Sequence, residues 1–140
     1  MEKRYIEWDR RYVLIIHMNE LFEKSEEIVK EIGEEAYRIL VEFVNKWNEL
    51  MERDKRFGDI LEFVISITLD GTVDWRRSFA TVMYFPTPAP PITVPEMVAS
   101  MAGHSISTVR SLFEPFFEPP EPITVYIMRF LEEGKGIVLP

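Results

Sequence analysis

Residues 63–77 read Phe63-Val64-Ile65-Ser66-Ile67-Thr68-Leu69-Asp70-Gly71-Thr72-Val73-Asp74-Trp75-Arg76-Arg77. Apolar and polar residues alternate on both sides of Leu69-Asp70-Gly71, which predicts a β-hairpin over 60–85. Two registers compete. A two-residue Asp-Gly loop sets Asp74, Arg76 and Ser78 beside Phe63, Ile65 and Ile67. A three-residue loop with Gly71 as the left-handed bulge residue instead gathers Leu61, Phe63, Ile65, Ile67, Val73, Trp75, Phe79, Met83 and Phe85 on one face. Glu62, Ser66, Thr68, Thr72, Asp74, Arg76 and Ser78 then share the other face. The second register sorts the residues more cleanly and is the expected one. Arg77 stays on the apolar face, either covering it with its aliphatic stem or meeting an anion.

Upstream, residues 20–57 carry Ile28, Ile32, Ala36, Ile39, Leu40, Phe43, Trp47, Leu50 and Met51 at three- and four-residue steps. That is one wide buried helical stripe, with Glu and Lys on the opposite face. Gly33 is placed to divide it, Asn19 to cap its start and Gly58 to end it. Before it, Tyr12-Val13-Leu14-Ile15-Ile16-His17-Met18 is short, apolar and β-branched. It reads as a buried strand, approached through the charged residues 7–11.

Downstream, residues 86–95 hold five of the ten prolines and read as a stiff extended connection. A helix is expected from about Pro95 to Ala102, broken at Gly103 and restarted behind a Ser105 cap to about Phe113. Residues 123–131 have strand composition, and Gly134-Lys135-Gly136 predicts a turn into a final strand over 137–139. The expected fold is a single α+β domain over residues 1–140. An antiparallel sheet carries the long helix and the broken second helix on one face, in a β-α-β-β-α-β-like order.

Composition narrows the chemistry. Cysteine is absent, which removes disulfides, thiolate metal sites and cysteine nucleophiles. Glutamine is absent too, and with Glu/Lys-rich helices this fits a hyperthermophile protein and an idealised de novo designed sequence equally well. A net charge of −8 favours solubility and disfavours a nucleic-acid partner. Neither a signal-peptide pattern nor a membrane-length apolar run is present, so a cytoplasmic protein without a membrane partner is expected, as monomer or small homo-oligomer. With two histidines, no cysteine and no phosphate-binding glycine loop, no metal and no cofactor is expected, although a single histidine suffices to ligate a haem.

The stretch Met101-Ala102-Gly103-His104-Ser105-Ile106-Ser107-Thr108 concentrates the candidate chemistry. A serine at a helix N-terminus lies beside unpaired backbone N–H groups able to hold an oxyanion. It needs a base. His17, a polar residue in an apolar strand, is the first candidate, and His104 the second. The expected catalytic set is therefore Ser105, His17 and His104, in a small serine hydrolase acting on activated esters. A carboxylate would have to orient the imidazole, and Asp9, Glu20, Asp59 and Asp74 all remain open. Ser105 as a plain helix cap accounts for the same residues without catalysis. The three tryptophans and ten phenylalanines are expected mostly in the core, or lining a hydrophobic ligand cavity between sheet and helix.

Two resemblances bear on the same stretch. Residues 96–112 resemble the helix-turn-helix of bacterial regulators, with Ala99, Gly103 and Val109 matching in type and spacing and Val98 and Leu112 at core positions. That resemblance implies DNA binding. His104 departs from its apolar position, Arg110 is the sole cation of the second helix, and Glu114, Glu118 and Glu121 follow in place of basic residues. Gly103-His104-Ser105-Ile106-Ser107 is similar to the G-x-S-x-G elbow of α/β-hydrolases, with Ser107 replacing the last glycine. That elbow follows a strand, whereas a helix is expected before Ser105.

Overall fold

A computed structural model describes residues 1–86, 103 and 119–139. The fold is α+β: a six-stranded antiparallel sheet with a long helix and shorter helices packed against it. Its strands are β1 (Glu2–Ile6), β2 (Arg11–His17), β3 (Phe57–Ile67), β4 (Val73–Tyr84), β5 (Glu121–Tyr126) and β6 (Ile137–Val138). They lie side by side in chain order. Helices α1 (Glu20–Glu23), α2 (Ser25–Ile32) and α3 (Glu34–Arg53) fill the connection from β2 to β3, and α4 (Ile127–Glu133) follows β5 directly. The expected broken helix lies outside the described residues.

The helical stripe packs as its spacing predicts. Leu40, Phe43, Val44 and Trp47 are buried against Leu14 and Ile16 of β2, Phe63 and Ile65 of β3, and Ala80 and Val82 of β4. Phe43 stacks on Trp47, and both rings meet Phe130 of α4. Trp47 is fully buried and donates its indole N–H to the Gly58 carbonyl at 2.8 Å, so even its polar atom is satisfied. The helical region does break at Gly33.

Several sequence expectations are corrected. The long helix ends at Arg53, not Gly58. Gly58 belongs to β3, where a Cβ would come within 2.9 Å of Phe85 Cε2 and 3.2 Å of Met83 Cβ. Close strand approach, rather than helix termination, accounts for that glycine. Asn19 makes no side-chain capping bond. Residues 2–6 form an unexpected edge strand, because polar side chains on both faces of β1 left no alternation to read. Conversely, residues 127–131 are helical. Ile127, Phe130 and Leu131 sit at helical spacing and pack on the core, a case where a short apolar run fits either structure. Trp8, expected in the core, is 84% exposed at the tip between β1 and β2.

The hairpin carries the most instructive correction. Its loop follows the three-residue register: Thr68 and Gly71 close it, and Gly71 adopts φ +89°. Beyond Asp74 the phase of β4 reverses. Asp74 faces Ser66 and Phe79 faces Val64, so five steps along β4 match two along β3. The intervening residues 75–78 oppose Ile65 alone, a bulge with three extra residues. Phe79 and Met83 consequently leave the core face, and Ala80, Val82 and Tyr84 take it. Ser78 is buried, accepts the Ser66 backbone N–H at 2.9 Å and donates to the Asp74 carbonyl at 2.8 Å. A second irregularity between Ile60 and Glu62 turns Leu61 outward.

Candidate functional site

The packed sides of α3 and α4 both meet the sheet face that carries Leu14, Ile16, Phe63, Ala80 and Val82. No described helix packs on the opposite face. There the register lines up Ile15 (β2), Val64 (β3), Phe79 (β4) and Tyr126 (β5) as direct cross-strand neighbours. Each is half-buried, and the Phe79 and Tyr126 rings meet edge-on at 6.2 Å between centroids. At the usual strand spacing the row is about 14 Å wide. The adjacent row is polar: His17, Glu62, Thr81 and Thr124. The reversed phase of β4 places Phe79 and Thr81 here, so strict alternation could not have found this surface.

At the other margin of the apolar row, four charges close over the buried Ser66. Arg11 donates to Ser66 Oγ at 2.6 Å and pairs with Asp9 at 2.5 Å. Arg77 crosses to the same Asp9 carboxylate at 2.9 Å and lies 3.7 Å from Asp74. Of the two readings of Arg77, covering the apolar face or meeting an anion, its pairing fits the second, with the anions supplied by the protein itself. Arg11 and Arg77 are balanced by Asp9 and Asp74.

Of the expected catalytic residues, only His17 lies among those described. It ends β2 on the face opposite the helices, with its side chain 61% exposed, and its Nδ1 is 3.8 Å from Glu62 Oε2. Glu62 was not among the carboxylates considered, since its pairing with His17 follows from the β2–β3 register. At that distance the pair is an ionic contact when the imidazole is charged, too long for a hydrogen bond. Ser105 and His104 lie outside the described residues, as do the helix-turn-helix and elbow-like stretches apart from Gly103, which has φ +70°.

Of the candidate carboxylates, Glu20 serves another purpose. It is buried, accepts the His17 backbone N–H at 3.0 Å and pairs with the Met1 ammonium and with Lys24 at 3.2 Å. The ammonium contact first, then the backbone N–H, lower its pKa from 4.5 to about 2. Asp54 is likewise held below the usual range by Arg56, and Asp70 by the Thr68 hydroxyl. These are local clasps at a helix end and a hairpin tip. Among the described residues no three histidines or carboxylates converge as a metal site, and no helix is long and apolar enough to cross a membrane.

Compared with known proteins, the chain matches no family model, no curated sequence and no solved structure.

Proposed function

We propose that the protein is a binding domain that takes an amphipathic small molecule on the sheet face opposite α3 and α4. The observation that carries this is the four-strand apolar row Ile15–Val64–Phe79–Tyr126, bordered by the polar row His17–Glu62–Thr81–Thr124. A row about 14 Å wide suits a ligand with an extended apolar body. Hydroxyls, an imidazole and the Glu62 carboxylate along one side suit an uncharged hydrogen-bond donor such as an alcohol, since few well-placed polar groups fix orientation in such sites. Balanced charges at the other margin give no preference for an anion. Thermal unfolding with a panel of uncharged amphipaths tests this. Ligand at a hundredfold its Kd adds about 2.7 kcal/mol of stability, and Phe79→Asp abolishes that gain. No stabilisation by any member, or equal stabilisation of the variant, refutes it.

The contact of Glu62 with His17 favours a second reading, an esterase. In it Ser105 is the nucleophile, His17 (or His104) the base and Glu62 the carboxylate that steadies the imidazole. Labelling by a fluorophosphonate that is lost in Ser105→Ala is the expected result. An unlabelled parent protein sinks the esterase and leaves the binding domain standing.

A further inference from the structure

Two surface features lie away from that sheet face. The first is the tip between β1 and β2. Trp8 stands 84% exposed in a short 3₁₀ turn over Glu7–Asp9, followed by Arg10 in the left-handed conformation at φ 49°. The tip is held firmly. Asp9, next to the indole, is clasped by both Arg11 and Arg77. Arg10 has no ion-pair partner within 4.0 Å among the described residues. A preorganised, solvent-facing tryptophan beside an unpaired arginine has the composition of an interface hot spot.

The second feature is an open groove of about 590 Å³ where α2 meets α3. Val29 and the Tyr37 ring supply its apolar surface, and the Tyr37 hydroxyl is fixed by donating to the Leu21 carbonyl at 2.9 Å. Glu26, Lys30, Glu34 and Arg38 line it as well. Among the described residues, these four also have no ion-pair partner within 4.0 Å.

We propose that the Trp8 tip is an interaction knob, and that its receptor is the α2–α3 groove of a second copy of this chain. The indole covers Val29 and Tyr37, Arg10 meets Glu26 or Glu34, and Glu7 meets Lys30 or Arg38. Both signs on the tip thus find their opposites around one apolar floor, so the two surfaces complement each other without a change in either. Knob and groove are different surfaces, so one contact joins two copies head-to-tail, and repeated or reciprocal contacts build a chain or a closed ring. Burying one indole and a few charges makes it a concentration-dependent contact, well short of the area of a permanent interface.

Sedimentation velocity over a wide concentration range tests this with wild type, Trp8→Ala and Val29→Glu. The fold of each variant is checked by circular dichroism and thermal unfolding. Wild type is expected to rise above 16.5 kDa with concentration, while each variant alone stays at that mass. Trp8→Ala weakens association by roughly thirtyfold or more, the scale of a hot-spot truncation. Mixing the variants is the decisive step, because one keeps the groove and the other the knob. The mixture forms a dimer and goes no further. A monomeric wild type overturns the proposal, as does association that survives Trp8→Ala. A mixture that stays monomeric overturns the pairing of this knob with this groove.

Discussion

Replacing Glu20 by Gln keeps the shape of a buried side chain and removes its charge. The carboxylate ties the Met1 ammonium, the His17 N–H and Lys24 together at the start of α1. Its pKa falls from 4.5 to about 2. At about 1.4 kcal/mol per unit, that displacement caps the contribution at about 3 kcal/mol. Lys24 is nearly half exposed and water reaches the pair, so screening reduces the figure, and we expect about 1 kcal/mol. The sign follows from linkage. A carboxyl whose folded pKa is depressed stabilises fully above its unfolded pKa and loses that contribution as pH falls through the folded one. The gap between wild type and Glu20→Gln is therefore complete above about pH 5 and closes toward pH 2. Urea unfolding at pH 7, 4 and 2, with and without 1 M salt, measures it. A gap that is the same at pH 7 and pH 2 refutes the electrostatic account and assigns the loss to packing.

Three further outcomes are expected. Trp47→Ala empties the largest buried side chain and orphans the Gly58 carbonyl, costing about 3–5 kcal/mol in chemical denaturation. Gly136→Ala strains a residue at φ +102° and drives a Cβ to 2.9 Å from the Tyr126 carbonyl oxygen. It should cost about 1–3 kcal/mol and expose the β5–β6 amides to hydrogen exchange first. Ser78→Ala leaves the buried Ser66 N–H without its acceptor, a loss of about 1–3 kcal/mol that amide exchange localises to the 75–78 bulge.

Much of the architecture was legible because burial imposes a period. The α3 stripe could be read from Leu40, Phe43 and Trp47, and the hairpin loop from the demand for a left-handed residue at Gly71. Where period was absent or broken, sequence reasoning failed. The edge strand β1 is polar on both faces, α4 is too short to distinguish from strand, and the bulge moved Phe79 and Met83 out of the core. The sheet face opposite the helices suffered most. Its rows are assembled from four strands distant in sequence, and only register brings Glu62 to His17. Trp8 illustrates the converse: aromatic character predicts burial, and nothing local says that a tryptophan will stand in solvent.

The clasped segment at residues 75–78 also changes how the chain tolerates insertion and deletion. An odd spacing joins Asp74 to Phe79 across an even spacing on β3. The bulge thus acts as a parity converter between two halves of one strand. Removing three residues there would restore an ordinary ladder with Phe79, Ala80 and every later side chain keeping its present side of the sheet. Removing two would keep the mismatch and demand a new bulge. For this strand, what a length change does depends on whether it is odd or even before it depends on how long it is.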